Sequence, residues 1–477
     1  MRVSSIISEY NPFHEGHKYH MKNTKKITNS DYTIVVMSGD FTQRGTPAII
    51  DKYARTKQAL LNGADLVLEL PVCFAASSAE GFAFGAVSIL NKLGVVDSLV
   101  FGSECGDLTC IKTVADFLSN EFSTFDGSNT LTEADNFKNF QERLQFFLKQ
   151  GASFPKARAC ALEDFFPNLD KNFLSSSNNI LGIEYCRALN YFNSSIVPVT
   201  IQRKDNFYND EKLAETGKLS SATAIRKVLH GITDTCGQNL SKTLKKECSN
   251  TETDCFGKNT EFNILNSYMP ESSLNILKEH WNISAPVSSN DFSLLLKYKL
   301  LLETRETLVQ YLDVTSDLAD RIYNNLNAYK TFDSFCDLLK TKELTYTRIS
   351  RSLLHVLLDI KKTDYELCKK ESQKYNPELN TDKNMLTNDA SKNYNSYGQY
   401  ARILGFRKDA SPLLHEIKKS SSIPLISKLS DSVKELDGVA LSMLEKDIQA
   451  AHIYESVVAD KFGHGFRNEF QRQLVIV

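Results

Sequence analysis

Short apolar runs alternate with amphipathic stretches in the first hundred residues. Four runs have the length and apolar content of buried parallel strands: 3–7, 32–37, 65–70 and 98–101. Apolar residues recur at helical spacing in the stretches between them: 17–28, 50–62 and 78–93. Strands that alternate with helices form a doubly wound parallel sheet, which binds ligands at the carboxyl ends of its strands. We therefore expect an α/β domain whose site lies in the loops after these strands.

The remaining chain predicts a second, mainly helical unit. The first domain is predicted to span 1–232 and to end with a strand-like run at 196–203 and a capped helix start. Residues 233–261 are polar and are interpreted as a linker or insertion, because their cysteines lack further ligands at zinc spacing. Apolar residues at helical spacing then recur, so that 262–477 is predicted to form a mainly helical domain.

Length, charge and cysteine pattern narrow the class of protein. A chain of 477 residues is long enough for two or three domains with a sizeable core. Its net charge of −2 gives no general argument for nucleic-acid binding, which would need a local basic surface. No apolar run approaches the roughly 18 residues of a membrane span, and the ten cysteines form no CxxC pair. We expect a reduced, cytoplasmic protein without a membrane segment.

Three of the nine histidines lie close together in the stretch IISEYNPFHEGHKYH, directly behind the first strand. His14 and His17 are expected at the N-terminus of the first helix, where unpaired N–H groups and the helix dipole favour anions. Gly16 permits a close backbone approach. A single histidine here would more often be a cap, but the group predicts a phosphate site with His14 and His17 as catalytic candidates. His20 could contact a phosphate or cover the helix, and a zinc site is the weaker alternative.

The histidine loop resembles the HxGH signature of the nucleotidyltransferase superfamily and of class I aminoacyl-tRNA synthetases. A second motif, SSATAIR, resembles the Ser/Thr-Ser/Thr-x-x-Arg motif by which nucleotidyltransferases hold phosphates, through Ser221, Thr223 and Arg226. A plain helix cap is the alternative for that motif taken alone. The stretch KLSDS at 428–432 is a faint match to the KMSKS loop of synthetases and is interpreted as chance.

Seven motifs together resemble the bacterial tRNA(Met) cytidine acetate ligase family: EYNPFHEGH, MSGDFTQRGTPAIIDKYARTKQAL, GADLVLELP, FGSECGD, SNNILGIEY, TYTRISR and YARILGF. The resemblance implies a nucleotidyltransferase-like (HUP/Rossmann-like) ATP-binding catalytic domain joined to an RNA-binding domain. It also implies that ATP and acetate are used to make N4-acetylcytidine at the wobble position of elongator tRNA(Met), through an acetyl-adenylate. Mg²⁺ is expected with the ATP, without an assigned protein ligand.

The resemblance also implies which residues bind the nucleotide. The ATP-binding residues that it implies are Ile7, Glu9, Tyr10, Asn11, Pro12, Phe13, His14, Gly16, His17, His20, Gly102, Asn178 and Arg203. Taken without the resemblance, Gly102 would be a turn glycine, Asn178 a helix cap and Arg203 a surface arginine. Asn179 is a neighbouring possibility. Arg44 could serve acetate or phosphate, or be structural.

Local charge suggests where RNA could bind. Between 402 and 428, six basic residues face two acidic ones, for a local balance of +4. On charge alone, a solvated helix face explains such runs more often than RNA binding does. With the resemblance, the candidate tRNA contacts are Arg348, Arg351, Arg402, Arg407 and Lys408.

Two other functions stay open from the residues. One is a nucleotidyltransferase that adenylates a small phosphate-bearing substrate and needs no basic second domain. The other is an ATP- or RNA-binding protein that has lost catalysis, against which the intact His14, Gly16 and His17 argue.

Overall fold

The fold is a mostly parallel sheet covered by helices, with a helical second half. A computed structural model of the chain describes residues 1–122, 131–170, 172–203, 219–243, 262–369 and 397–477. The strands in these ranges are β1 Val3–Ser8, β2 Tyr32–Ser38, β3 Leu66–Leu70, β4 Ser98–Ser103, β5 Val197–Gln202, β6 Ala401–Phe406, β7 Leu425–Ile426 and β8 Val475–Ile476. They form one sheet in the order β5-β4-β1-β2-β3-β6-β7, with β8 also paired to β6.

Helices cover the sheet and make up most of the second half. The helices of the first half are α1 Glu15–Thr28, α2 Lys52–Leu61, α3 Val72–Ala75, α4 Ala79–Leu93, α5 Leu108–Ser119, α6 Leu131–Lys149, α7 Phe154–Glu163, α8 Ser177–Tyr191 and α9 Ala222–Thr243. Those of the second half are Glu271–His280, Ser293–Leu301, Arg305–Leu308, Ser316–Asn325, Phe332–Leu339, Tyr346–Leu357, Lys362–Lys369, Ser411–Ser420, Leu429–Glu435 and Gly438–Phe462. The predicted α/β class with a mainly helical second half is confirmed.

The strand order places a ligand crevice between β1 and β4. On one side of β1 the sheet continues with β2 and β3, and on the other side it continues with β4 and β5. All of these neighbouring strands pair in parallel. At such a reversal, the loops after the two central strands diverge and open a crevice at their carboxyl ends. The histidine loop follows β1, and the motif FGSECGD begins in the last residues of β4, so that both border this crevice.

The C-terminal part of the chain adds strands to the same sheet. β6 pairs antiparallel with β3, Leu66 lying opposite Phe406, and β7 and β8 pair with β6. The predicted helical region 262–477 therefore contributes strands to the sheet of the first domain. Helix α9 also runs to Thr243, into the predicted linker, whereas residues 244–261 lie outside the described ranges. The predicted domain boundaries remain a prediction.

Buried charges connect this returning segment to the sheet. The Lys52 ammonium lies 2.7 Å from Glu69 and 2.6 Å from Glu469, and the Arg402 guanidinium lies 2.8 and 2.6 Å from the same two carboxylates. Arg402 was predicted to contact tRNA, and this prediction is wrong because its side chain is only 4% exposed. Attraction to the two carboxylates holds the pKa of Arg402 above its usual value against the effect of burial. We call Lys52, Glu69, Arg402 and Glu469 the ionic cluster.

Removing one member of the ionic cluster should destabilise the protein strongly. Arg402→Ala leaves Lys52 as the cation shared by the buried carboxylates of Glu69, Glu469 and Asp40, the last at 3.8 Å. This loss should cost about 3–5 kcal/mol of unfolding free energy. Arg407→Ala is the matched control, because Arg407 pairs with Asp409 at a site where its own side chain is 38% exposed, and its loss should cost below about 1 kcal/mol. Urea unfolding of the two variants and the wild type measures both effects. Equal losses would mean that the cluster does not hold the C-terminal segment.

Candidate active site

The first two histidines of the loop form the N-terminal cap of helix α1. The Nδ1 atom of His14 accepts a hydrogen bond from the Gly16 amide at 3.0 Å, and the His17 Nδ1 accepts one from the His14 amide at 3.3 Å. The two rings stack with centroids 3.7 Å apart. A side chain on Gly16 would meet the His14 ring, since its Cβ would lie 2.8 Å from the Cε1 atom. The helix therefore begins at Glu15, two residues before the predicted start.

The cap fixes the protonation state of both rings. A neutral imidazole that accepts a hydrogen bond at Nδ1 carries its proton at Nε2, which leaves an Nε2–H donor for a ligand. Burial, together with the nearby guanidinium groups of Arg203 and Arg226, lowers the pKa of His14 to about 3. Burial and the neighbouring His14 and Arg203 hold the pKa of His17 well below its usual value. At neutral pH the two histidines are uncharged donors.

His20 lies one turn further along α1 and lines the same cavity. Burial, with a contribution from Arg203, lowers the pKa of His20 to about 4. Its Nε2 atom is buried and has no hydrogen-bond partner among the described residues. A buried polar atom without a partner is costly unless a ligand or water satisfies it. The alternative that His20 only covers the helix is therefore less favoured than a ligand contact.

An internal arginine holds the histidine loop against the sheet. Arg55 is fully buried on α2, and its guanidinium donates to the carbonyls of Glu9 at 2.7 Å, Ser38 at 3.0 Å and Gly39, while its Nε donates to Ile50. Glu9 and Gly39 lie in the loops after β1 and β2, and Ser38 is the last residue of β2. One side chain thus fixes the relative position of the two loops.

The second wall of the cavity is the N-terminus of helix α9. Ser221 caps this helix by accepting a hydrogen bond from the Ala224 amide at 3.1 Å. The Arg226 guanidinium donates to the Asn11 carbonyl at 2.7 Å and to the Thr223 hydroxyl at 3.1 Å, which ties α9 to the histidine loop. Two helix N-termini therefore point at one cavity, an arrangement that favours a polyanion.

The end of β4 forms the third wall. A Cβ on Gly102 would lie 3.4 Å from the Arg203 side chain, so that glycine leaves room beside that arginine. Glu104 accepts hydrogen bonds from the Asn178 side-chain NH₂ at 2.7 Å and from the Asn179 backbone N–H at 2.9 Å. Asn179 is buried and accepts bonds from the Glu104 and Cys105 amides, so its role is structural. Asn178 lines the cavity, and its side-chain oxygen can accept a hydrogen bond.

One cavity brings together nearly all of the predicted nucleotide residues. The predicted residues that line it are Ile7, Glu9, Tyr10, Asn11, His14, Gly16, His17, His20, Gly102, Asn178, Arg203, Ser221, Thr223 and Arg226. Pro12 and Phe13 do not line it, and Phe13 instead packs in the core under the loop. Sequence reasoning missed other lining residues, among them Gln43, Leu181, Tyr185 and Gln202. Gln43 stands within the quoted motif MSGDFTQRGTPAIIDKYARTKQAL, but a polar residue in a loop gives no local sign of a binding role.

The predicted tRNA residues lie in three different places, of which the ionic cluster, with Arg402, is one. We call the cavity lined by His14, His17 and Arg226 the nucleotide cavity. Arg348 and Arg351 line a neighbouring cavity, together with Arg44, which does not line the nucleotide cavity. Arg407 and Lys408 follow β6, whose end lies opposite the beginning of β3. They therefore lie at the amino-terminal end of β3, whereas the nucleotide cavity lies at the carboxyl ends of the parallel strands.

The geometry suits binding of a phosphate chain and reaction at phosphorus. Neutral N–H donors, two helix N-termini and two guanidinium groups face one cavity at the switch point of the sheet. Such an arrangement stabilises the charge that grows on phosphoryl oxygens during in-line displacement. Within the described ranges, no three His, Cys, Asp or Glu side chains are placed to hold a metal ion. None of the described helices is long and apolar enough to cross a membrane.

Comparison with known proteins gives consistent similarities along the whole chain. Residues 1–383 and 379–468 match the HIGH Nucleotidyl Transferase family. The chain is 39% identical over 463 residues to a tRNA(Met) cytidine acetate ligase of Clostridium perfringens, covering 95% of each protein. It is 37% identical over 481 residues to the protein of that name from Acetivibrio thermocellus, covering 100% of both. A crystal structure of Thermotoga maritima TmcAL bound with alpha-thio ATP superposes with a TM-score of 0.78 at 28% identity, covering 100% of both chains.

The lowered pKa of His14 predicts acid sensitivity of the fold. Between pH 7 and pH 5 the unfolded chain takes up a proton at this histidine, whereas the folded protein does not until the pH approaches 3. Stability is therefore lost as the pH falls through the unfolded pKa, by about 2 kcal/mol at pH 5 from this one group. His14→Asn keeps a capping side chain but removes the titration. Urea unfolding at pH 7 and pH 5 should show a smaller loss in the variant, and identical losses would contradict the neutral buried state.

Proposed function

Because the chain belongs to the HIGH nucleotidyltransferase family, and within it to the tRNA(Met) cytidine acetate ligases, we propose that it acetylates the wobble cytidine of elongator tRNA(Met) using ATP and acetate. The protein is a ligase. The observation that carries the proposal is the cavity in which His14, His17 and the N-terminus of α9 face one another at the end of β1. We place the activity in the cytoplasm, where tRNA is modified.

The first step activates acetate. An acetate oxygen attacks the α-phosphorus of ATP, the bond to the β-phosphate oxygen breaks, and pyrophosphate leaves acetyl-adenylate behind. Acetate is ionised at neutral pH, so this step needs alignment and charge stabilisation more than a general base. The Nε2–H groups of His14 and His17 donate to the reacting phosphate oxygens. Arg203 and Arg226, with Ser221 and Thr223, hold the leaving phosphates.

The second step transfers the acetyl group. The N4 amine of cytidine attacks the acetyl carbonyl, AMP leaves, and the amine loses one proton to solvent or to the phosphate of AMP. No side chain is assigned as a base. Gly102 and Asn178 contact the nucleoside part of ATP, where glycine admits close approach and the asparagine amide accepts a hydrogen bond.

The cavity also fits Mg²⁺ bound with ATP. Magnesium is usually held by phosphate oxygens and water with one or two carboxylates, and Glu9 is a carboxylate among the described lining residues. One of its oxygens, Oε1, already accepts a hydrogen bond from the Gln43 amide at 2.8 Å. When bound, the ion would neutralise charge on the leaving phosphates. We assign no protein ligand to it.

We place the tRNA mainly on the helical half near the nucleotide cavity. Arg348 and Arg351 lie on the helix Tyr346–Leu357, which packs against the loop after β2. Arg407 and Lys408, at the opposite edge of the sheet, could contact only parts of the tRNA distant from the reacting base. Basic side chains contribute to RNA affinity through phosphate contacts and counterion release.

A single assay tests the reaction and the role of the histidines. The protein is incubated with ATP, Mg²⁺, labelled acetate and tRNA(Met) lacking the modification, and the tRNA is digested to nucleosides. We expect label in N4-acetylcytidine. His17→Ala should lower the rate about 10²–10³-fold, because it removes a donor to the reacting phosphate.

A neighbouring variant controls for damage to the helix. Lys18 is next to His17 on the exposed side of α1, where it pairs with Glu15 at 3.5 Å, and Lys18→Ala should retain near wild-type activity. Unlabelled tRNA, together with pyrophosphate release that requires an added small phosphate ester and not acetate, would refute the ligase and favour adenylation of a small phosphate-bearing substrate. ATP binding without any turnover would favour a protein that has lost catalysis.

A further inference from the structure

A second cavity of about 770 Å³ adjoins the nucleotide cavity. It lies between α7, α8 and the helix Tyr346–Leu357, and its volume is in the range of sites that hold a nucleotide-sized ligand. Gln43 and Leu181 line both cavities, so that these two side chains stand between them. A ligand in the second cavity would meet the bound nucleotide at this junction.

The loop between the two cavities is fixed on both sides. On one side, the Gln43 amide donates to Glu9 at 2.8 Å. On the other, the Gly45 carbonyl accepts a hydrogen bond from the Ser350 hydroxyl at 2.8 Å. Gly45 has φ +74°, and a Cβ there would lie 2.3 Å from the Arg351 amide nitrogen. The first half and the helical half thus build the junction together.

Five arginines and five acidic residues line the second cavity, but they are not all paired with one another. Glu184 is fully buried and pairs with both Arg158 and Arg187 at 2.5 Å, so this end of the cavity is neutralised from within. Arg351 pairs with Asp313 at 3.0 Å. Arg348 is half-buried and makes no ion pair within 4 Å among the described residues. A ligand with a negative charge would pair with that guanidinium.

Aromatic surface in the same cavity suits a nucleobase. Phe154 lines the cavity and remains 49% exposed, and Phe137 and Phe140 line it as well. Unstacked bases of single-stranded RNA are held by stacking on aromatic side chains and by contacts to the flanking phosphates. Acetate, with two carbons and one charge, would use only a small part of this volume.

We propose that the second cavity receives the wobble cytidine, extruded from the anticodon loop, with a flanking phosphate at Arg348 and the base beside Phe154. The N4 amine then reaches the activated acetyl group at the junction marked by Gln43 and Leu181. The inference rests on the proposed function, since it requires an RNA acceptor. Extrusion of a reacting base into a pocket is the usual solution where chemistry is done on that base.

The test separates the acceptor site from the nucleotide site. Arg348→Ala and Phe154→Ala are compared with Arg305→Ala, a control whose arginine pairs with Asp320 on the surface and lines neither cavity. Affinity for ATP and kcat/KM for acetylation of tRNA(Met) are measured for each. We expect unchanged ATP affinity and a loss of kcat/KM of at least about tenfold in the two cavity variants only.

A cross-link locates the base independently of the variants. Wild-type protein with ATP is bound to tRNA(Met) carrying 5-iodocytidine at the wobble position, irradiated and digested, and the attached peptide is sequenced. Attachment to a residue of the second cavity supports the proposal, whereas attachment elsewhere overturns it. Cavity variants as active as Arg305→Ala, or variants that also lose ATP affinity, overturn it too. If the wild-type protein acetylates no tRNA, it is the proposed function that fails.

Discussion

The ionic cluster is the constraint on which the relation between the two halves depends. Its members come from helix α2, strand β3, strand β6 and the last residues of the chain, and all four side chains are nearly excluded from water. Buried ion pairs add little net stability, but any arrangement that separates them leaves a charge uncompensated at high cost. The cluster therefore specifies one position for β6 beside β3. A hydrophobic contact at the same place would tolerate small shifts.

Helix α2 transmits this constraint to the site. Lys52 and Arg55 are three residues apart and lie on the same face of the helix. The first joins the ionic cluster, and the second holds the carbonyls of the loops after β1 and β2. From the other side, Tyr454 of the long C-terminal helix donates to the Ala48 carbonyl at 2.8 Å. The loop after β2, which Arg55 joins to the histidine loop, is thus held by contacts from both halves.

The sequence predicted what depends on local pattern and missed what depends on distant partners. The apolar runs that form β1 to β4 are buried on both faces of the sheet. Hydrophobicity alone therefore locates these strands to within about two residues. Strand β6 pairs with residues more than 330 positions earlier in the chain, and its apolar run carries no sign of that partner. The prediction for Arg402 was wrong for the same reason. A basic residue in a charged stretch is expected at the surface, and its buried partners Glu69 and Glu469 are distant in the sequence. In the site, spacing and the HxGH pattern identified the histidines, whereas Gln43 gained its place only from the fold.

In the proposed mechanism, the arginines and the histidines of the nucleotide cavity have different roles. This difference follows from the positions of the charges. Arg203 and Arg226 are permanent cations, and their field together with burial keeps His14 uncharged. A charged imidazole would bind the ground-state phosphate and the pyrophosphate product tightly, which lowers KM without lowering the barrier. A neutral Nε2–H instead gains most as charge develops on the phosphoryl oxygen. In the proposed mechanism, the arginines bind the phosphate chain and the neutral histidines donate to the reacting phosphate, so that each set needs the other in place.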